Sequence, residues 1–439
     1  MSPARVPAVP LNAAATAALI ACLLLGGPGR AEDLFSVTAT ETVGFGGPDS
    51  GSPFEVSADD LPSLFEDAVE ARDLFGEFAG DDARFTFSYA QVEEALVVTV
   101  NADNNQATLD IPGIDFSRTF NATNRGELED EITDFLEDDG SDVYADFLAF
   151  LREETLVNVI DGNPNSATAL VGAQAFRDFA TPGLNSVDGV GHRFDLAGDR
   201  SGYFKIGGAA STFDADGFEG DDYRVHLSAG VDLTKQVSLA WASTANFRDI
   251  EGTRYYAGGG TLAAPITVWS SLWGEADRPD DAPEQGSGWP TMTARLTPLV
   301  QMGVGGSIDA ADGGLFWGYG GSGAFMMDFD RFRLNAGAQV VTYRGLDVGI
   351  DDYEFATDLD QTLLSVGLHS AVDLGNAFTV DAGVSFHDYL DDAATDNWVT
   401  PSVGLAWAPD ETTLRVGYSG DFGDGFDAHR LTLDLVLSF

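Results

Sequence analysis

From about residue 201 onward, apolar and polar residues alternate with a period of two. In "DYRVHLSAGVDL" (222–233) one face carries Tyr, Val, Leu, Ala, Val and Leu, and the other carries mainly Asp, Arg, His, Ser and Gly. "AFTVDAGVSFHD" (377–388) and "HRLTLDLVLSF" (429–439) repeat the scheme. Such alternation predicts β-strands with one apolar and one polar face.

The length of these strands indicates where the apolar face is buried. They run to ten or more residues, whereas strands of globular proteins average about five or six. About ten residues tilted near 45° cross the apolar core of a bilayer. Short joins such as "DFDRF" (328–332) alternate with longer acidic stretches such as "GLDVGIDDYEFATDLD" (345–360). A large soluble β-sandwich would explain the alternation but not the strand length, so the pattern favours an antiparallel transmembrane β-barrel.

The barrel is predicted to occupy residues 201–439 and to contain about twelve strands. An even number allows both ends of the sheet to lie on one side of the membrane. The join at 273–290 is unusually long for a periplasmic turn. The predicted strands are 201–213, 222–233, 236–247, 254–273, 291–308, 315–328, 331–343, 361–374, 376–388, 397–408, 412–420 and 429–439.

Residues 32–180 show mixed periods and predict a small α+β domain. Helical spacing is found at 61–78, 126–140, 142–160 and 166–179, and short strands are predicted at 83–89, 94–101 and 106–113. A Gly-rich stretch at 181–200 predicts a linker to the barrel. The fold class is therefore mainly β, with a transmembrane barrel and a small N-terminal α+β domain.

Residues 1–31 are typical of a secretory signal peptide. Arg5 supplies a basic start, "AAATAALIACLLL" is the apolar run, and Gly29 and Ala31 fit cleavage before Glu32. In an alternative interpretation, "LIAC" resembles a lipobox and Cys22 is lipidated, although three leucines continue the apolar run. Cys22 is the single cysteine, so cleavage at 31 leaves a chain without thiols.

The chain is strongly acidic, with 22 Lys and Arg against 71 Asp and Glu. Removing Arg5 and Arg30 with the signal peptide leaves 20 basic side chains and a net charge of 20 − 71 = −51. This excess disfavours nucleic acid as a partner. No His/Cys metal motif and no phosphate-binding Gly loop followed by Lys is found, and we predict that the protein is not an enzyme.

The final strand resembles that of Gram-negative outer-membrane β-barrel proteins. It ends on an aromatic residue preceded by apolar residues at every second position: Leu431, Leu433, Leu435, Leu437 and Phe439. The resemblance implies a location in the bacterial outer membrane and contact with outer-membrane lipid and lipopolysaccharide. It also implies that the barrel-assembly machinery recognises this strand.

The order of elements looks like the translocator unit of autotransporters, with an N-terminal domain, a short helix and then about twelve strands. The segment "YFKIGGAASTF…DDYRVHLSAGVDL" is similar to the start of that unit. Three functions therefore stay open. The first is a narrow pore or anchor with the N-terminal domain in or below the barrel. The second is a translocator that exports residues 32–180 to the surface, and the third is a structural or adhesive surface protein. The oligomeric state is not determined by the sequence.

Polar faces of the strands supply candidate lumenal residues. By the alternation, the side chains that face the lumen are Arg224, His226, Asp232, Arg333, His369, Asp373, Asp381, His387, Arg415 and Asp434. Ser385 stands two residues before His387 on the same face and is the most suggestive nucleophile–base pair. No cofactor is expected except possible Ca²⁺ binding in an acidic loop, where carboxylates are dense: Asp214, Asp216, Glu219, Asp221 and Asp222.

Overall fold

The structure is a computed structural model. It describes residues 35–41, 54–58, 83–101, 105–123, 155–181, 202–234, 236–271, 290–307, 312–329, 331–346, 348–350, 353–355, 359–391, 393–409 and 412–439, with isolated positions between 127 and 154. The predicted signal peptide at 1–31, the helix at 61–78 and nearly all of the linker at 181–200 lie outside these residues. Within them, no helix is long and apolar enough to cross a membrane.

The N-terminal part of the chain contains a six-stranded antiparallel sheet. Its strands are β1 Phe35–Glu41, β2 Phe54–Ala58, β3 Ala83–Tyr89, β4 Val92–Asn101, β5 Gln106–Ile111 and β6 Phe116–Asn121. Their order in the sheet is β2-β1-β3-β4-β5-β6, and β3, β4 and β5 confirm the predicted strands at 83–89, 94–101 and 106–113. A small apolar core on this sheet contains Leu109, Phe120 and Phe135.

The second sheet is a closed antiparallel barrel, as the alternation predicts. Its strands are β7 Gly202–Ala215, β8 Phe218–Asp232, β9 Ser238–Ile250, β10 Thr253–Ala263, β11 Ile266–Ser270, β12 Thr291–Ser307, β13 Asp312–Phe329, β14 Phe332–Leu346, β17 Asp360–Gly375, β18 Phe378–Tyr389, β19 Asn397–Trp407, β20 Thr412–Gly423 and β21 Phe426–Ser438. Between β14 and β17, Val348–Ile350 (β15) and Tyr353–Phe355 (β16) form a separate hairpin.

Two pairings explain why this sheet is a twelve-strand cylinder. The segments β10 and β11 both pair with β12 and act as one strand that is interrupted at Pro265. The first strand, β7, pairs with the last, β21, and the amide of Gly202 donates to the carbonyl of Phe439 over 2.9 Å. Because β10 also pairs with β9, no edge of the barrel sheet stays open.

The outer surface of the barrel is apolar in the manner of a lipid-facing wall. Large apolar side chains are exposed on the strands, among them Val225, Val300, Val384 and Leu405. Such a continuous apolar surface is not found on ordinary soluble proteins. On the last strand Leu431, Leu437 and Phe439 are exposed, whereas Asp434 and Val436 are buried inside the barrel. The chain is therefore an outer-membrane-type β-barrel with an N-terminal domain.

We call the end of the barrel where β7 begins and β21 ends the terminal rim, and the opposite end the domain rim. The sequence predicted short turns at one rim and long loops at the other. This contrast is only partial, because three hairpins of the domain rim turn within two residues, at 216–217, 251–252 and 424–425. Asp216 and Gly217 have φ angles of 55° and 97°, which is the backbone of a tight hairpin turn. The acidic residues 214–222, interpreted from the sequence as a loop, are therefore mostly strand.

The last part of the predicted α+β domain lies inside the barrel. Residues 155–180 of that domain and Thr181 of the predicted linker pack within the bore, where nearly all of them are buried. We call residues 155–181 the plug segment. Its apolar residues share one continuous core with the inner wall of the barrel. The sequence could not distinguish this placement, because an apolar helix is equally suited to a domain core.

Candidate functional site

The bore of the barrel is occupied by the plug segment. Its helix α1 spans Ala167–Ala175 and continues as a π-helical turn at Phe176–Ala180. Ser166 caps its start by accepting a hydrogen bond from the amide of Ala169. The helix is rich in Ala and Gly and apolar on nearly every side, which is the pattern of a helix that is buried all round. A slender helix of this kind suits a twelve-strand bore, which is intermediate between filled eight-strand barrels and open sixteen-strand ones.

The plug segment runs from the domain rim toward the terminal rim. At its start, the hydroxyls of Ser166 and Thr168 lie 3.1 and 2.9 Å from the hydroxyl of Tyr389, the last residue of β18. At its end, Asp178 pairs with Lys205, near the beginning of β7, over 3.1 Å. Residues 167–180 correspond to about 21 Å of helix, at about 1.5 Å per residue. The helix therefore extends through much of the barrel.

Glycines on the inner wall make room for this helix. A Cβ atom on Gly337 would overlap the carbonyl oxygen of Ala180, and one on Gly367 would stand 3.0 Å from the ring of Phe176. The helix makes room in turn, because a Cβ on Gly172 would stand 2.7 Å from the hydroxyl of Tyr343. Larger residues on either side would push the helix and the wall apart.

Side-chain amides bind the helix backbone to the wall. Gln339 donates to the carbonyl of Gly172 over 2.9 Å, and Gln301 donates to the carbonyl of Val171 over 3.4 Å. Gln301 is itself held by the hydroxyl of Tyr343 over 2.6 Å. These bonds join the middle of the helix to β12 and β14.

A buried ionic network lines the bore toward the terminal rim. Arg415 lies between two carboxylates, 3.0 Å from Asp381 and 3.5 Å from Asp434. Each carboxylate also contacts a histidine, since His226 lies 2.5 Å from Asp434 and His369 lies 3.0 Å from Asp381. The network ties together strands β8, β17, β18, β20 and β21 around the end of the plug segment.

A second group of charges lies nearer the domain rim. Arg224 pairs with Asp222 over 2.5 Å and donates to the side-chain oxygen of Asn165 over 2.7 Å. Arg248 donates to the backbone carbonyl of Asn165. On the other side, Arg430 pairs with Asp421 over 2.6 Å. The contacts of Arg224 and Arg248 with Asn165 fix the loop before α1 to the wall, whereas the Arg430–Asp421 pair joins β21 to β20.

The structure distributes the predicted lumenal residues over two environments. Seven are buried inside the barrel: Arg224, His226, His369, Asp381, His387, Arg415 and Asp434. Asp232 and Asp373 are exposed at the ends of their strands, where Asp232 accepts a hydrogen bond from Ser238 and Asp373 accepts one from the amide of Gly375. Arg333 is half-buried near the terminal rim and pairs with Asp328 over 3.2 Å.

The suggested pair of Ser385 and His387 is not the pair that the barrel assembles. The Nδ1 atom of His387 lies 2.8 Å from the hydroxyl of Ser365, on the neighbouring strand. The ring of His387 stacks on Trp398, with centroids 4.9 Å apart, and touches Phe176 of the plug segment edge-on. The imidazole of His387 is thus enclosed between the plug segment and the wall, and it contributes to the packing between them.

The proposed calcium residues are not brought together. Asp222 faces the bore and pairs with Arg224, whereas Asp214 accepts a hydrogen bond from the amide of Gly217 within the turn. The alternation of β8 points Asp221 and Asp222 to opposite faces. In the part of the chain that the structure describes, no group of three or more His, Cys, Asp or Glu side chains is arranged to hold a metal ion.

Several residues of the site were missed in the sequence. Lys205 and Asp178 are separated along the chain by the linker, so no local pattern relates them. Arg430 lies in the predicted strand 429–439 on the same face as Asp434, so the alternation already identifies it. Asp421 lies in the acidic stretch "GDFGDGFDAH" at 420–429, which resembles a loop, and extending the period of two through that stretch would have found it.

Comparison with known proteins gives likeness of fold only. No family model and no curated protein matches the sequence. The translocator domain of the autotransporter NalP from Neisseria meningitidis is similar in structure, with 10% identity, a TM-score of 0.35 and coverage of 57% of this chain and 91% of that chain. The β domain of the Bordetella autotransporter Brka gives 12% identity, a TM-score of 0.38 and coverage of 54% and 100%. The toluene transporter TodX of P. putida has 12% identity and a TM-score of 0.28, and the match covers 57% of this chain and 92% of that chain.

Proposed function

We propose that this protein anchors its N-terminal sheet in the bacterial outer membrane, and that its own plug segment closes the barrel. The observation that carries the proposal is the filled bore, where α1 is held by wall amides, by the Lys205–Asp178 pair and by close packing against glycines. A pore that conducts at rest would need a continuous water path beside this helix. Anchoring needs only a stable barrel and a tether, and no catalytic step.

The N-terminal sheet lies against the domain rim. The side-chain amide of Gln91 donates to the carbonyl of Ala215 over 2.9 Å, and the hydroxyls of Tyr89 and Tyr255 lie 3.4 Å apart. Phe87 and Ala90 pack against the core that fills the barrel. All these contacts are made by the β3–β4 hairpin, at the end of the barrel opposite to Gly202.

We infer the side of the membrane on which the N-terminal sheet lies from the orientation that the resemblance implies for the barrel. The outer-membrane barrels that this chain resembles have an even number of strands, with both ends of the sheet toward the periplasm. In that orientation the domain rim faces outward, and the plug segment passes through the barrel to hold the N-terminal sheet at the cell surface. This arrangement supports surface anchoring over a domain kept below the barrel.

Labelling of single cysteines on intact cells tests this proposal. Ser117→Cys on the exposed face of β6 should react with a membrane-impermeant maleimide, and Arg331→Cys in a turn of the terminal rim should react only after lysis. Cys22 is the single native cysteine and lies within the predicted signal peptide, so it is changed to Ala in both variants. The reverse order of labelling would place the sheet in the periplasm and would overturn the proposal.

A further inference from the structure

A cavity lies between the plug segment and one side of the barrel wall. It has a volume of about 70 Å³ and is bounded by the plug segment and by strands β7 to β9 and β17 to β21. This volume offers room for about five water molecules at about 14 Å³ each. The side chains around it are mostly charged or hydroxylic, which distinguishes it from a packing defect between apolar residues.

Three guanidinium groups converge on this cavity. Arg177 comes from the plug segment, Arg224 comes from β8, and Arg430 comes from β21. Arg224 and Arg430 lie close enough to act electrostatically on Arg177. Because like charges repel strongly where water is scarce, a wall of three cations is stable only with compensating negative charge.

Arg177 is the guanidinium of this group that has no carboxylate in direct contact among the described ion pairs. Asp222 pairs with Arg224 and Asp421 pairs with Arg430, while Asp178 is engaged by Lys205. Asp178 and Asp421 act on Arg177 only from a longer distance. Arg177 is bonded to the neutral side-chain oxygen of Gln174 over 3.0 Å. Arg248 is also buried near Asp222 and adds a further positive charge to this part of the bore.

The carboxylate oxygens are occupied, whereas the guanidinium groups hold more donors than they use. Asp421 accepts from Arg430 with one oxygen and from the hydroxyl of Thr400 with the other, over 2.6 and 2.7 Å. Each guanidinium has five N–H donors in a planar fork that fits oxyanions. Among the described contacts, Arg177 donates through Nη2 and Arg224 through Nε and Nη2. The hydroxyl group of Ser402 on the cavity wall can add a donor.

We propose that this cavity binds a small free oxyanion, of the size of phosphate or sulfate, between Arg177 of the plug and Arg224 and Arg430 of the wall. The bound anion would join the plug segment to the barrel, in addition to the Lys205–Asp178 pair. This inference goes beyond anchoring and holds for either orientation of the barrel in the membrane. The small volume favours a free ion over the phosphate group of a larger molecule.

Thermal unfolding of the full-length protein in detergent tests the proposal, with inorganic phosphate as the probe. Phosphate should raise the melting temperature along a saturable curve, because a ligand that binds only the folded state stabilises it. Sodium chloride at equal ionic strength should not reproduce the curve. In Arg177→Gln the fitted Kd should rise about tenfold or more, since a charge-assisted hydrogen bond is lost.

Two controls make each outcome decisive. Arg333→Gln removes a lumenal arginine that does not line the cavity, and it should keep the wild-type Kd. Arg177→Lys keeps the charge and should recover part of the affinity if Arg177→Gln folds poorly. Equal effects of chloride and phosphate, or an unchanged Kd in Arg177→Gln, would overturn the proposal. So would equally strong binding of glucose 6-phosphate, whose sugar exceeds the cavity.

Discussion

The Lys205–Asp178 pair joins the end of the plug segment to the wall, and its removal gives the sharpest test of how the plug is held. The side chains are 3% and 2% exposed, and their charged atoms lie 3.1 Å apart. Lys205→Met leaves the carboxylate of Asp178 buried with Gln174 as its described hydrogen-bond partner. Breaking such a buried pair costs about 3–5 kcal/mol.

A second ion pair in the same barrel serves as a control that isolates the effect of burial on stability. Arg333 and Asp328 lie 3.2 Å apart, but their side chains are 20% and 34% exposed. Water screens this pair, so Arg333→Met should cost about 1 kcal/mol or less. The two variants therefore differ in burial far more than in the distance between the charges.

The assay is denaturant unfolding of the purified protein in detergent, followed by the heat-modifiable mobility of the folded barrel on a gel. Lys205→Met should lower the midpoint clearly, whereas Arg333→Met should leave it nearly unchanged. The double variant Lys205→Met with Asp178→Leu should recover most of the loss, because replacing a whole buried pair by apolar residues is close to neutral. Equal midpoints for the two single variants, or a double variant as unstable as Lys205→Met, would refute this reasoning.

Two further predictions test the outer and inner faces of the wall. Val384→Arg places a charge on the lipid-facing surface and should destabilise the barrel in bilayers by about 2–4 kcal/mol near the midplane, whereas Val384→Ile should be neutral; equal stability of both variants would mean that this face does not contact lipid. Gly337→Val should displace the last turn of the plug segment from Ala180 and lower the melting temperature, with a cost of about 1–3 kcal/mol for overpacking. Gly323→Val, on the outer face of β13, is its control, and similar melting temperatures would exclude the close packing of the plug against Gly337.

The barrel was predictable because its signal is local. The alternation fixes which side chains share a face, and strands of more than ten residues distinguish a membrane wall from a soluble sheet. The alternation does not show how far a residue lies from the ends of the barrel. Asp232 and Asp373 lie on the strand face that points into the bore, but they lie at strand ends, where their side chains are exposed. Parity alone cannot distinguish a residue in the bore from one at its rim.

The sequence left the place of the plug segment open for a different reason, since it allowed the N-terminal part to lie in the barrel or below it. The helix at 166–179 was expected, and the structure has it at Ala167–Ala175 with a further turn to Ala180. Its location depends on contacts across more than twenty residues of linker and several strands, such as Lys205 with Asp178 and Tyr389 with Ser166. Such contacts leave no periodic mark in the sequence.

The acidic turns show how composition can mislead. Carboxylates and glycines near 214–222 and 420–429 are typical of solvated loops, and those at 214–222 suggested calcium binding. In the barrel the same residues alternate between the two faces of β7, β8, β20 and β21, so that Asp222 and Asp421 become partners of lumenal arginines. Periodicity is therefore a better guide than charge density in these segments.

Ionic conductance across a planar bilayer tests the central claim most directly. The full-length protein should be nearly non-conducting, because the plug segment fills the bore. A variant in which residues 155–181 are replaced by an equally long Gly/Ser linker should insert as a barrel and conduct, since a flexible chain packs against nothing. Steady conductance of the unmodified protein, equal to that of the linker variant, would contradict the account.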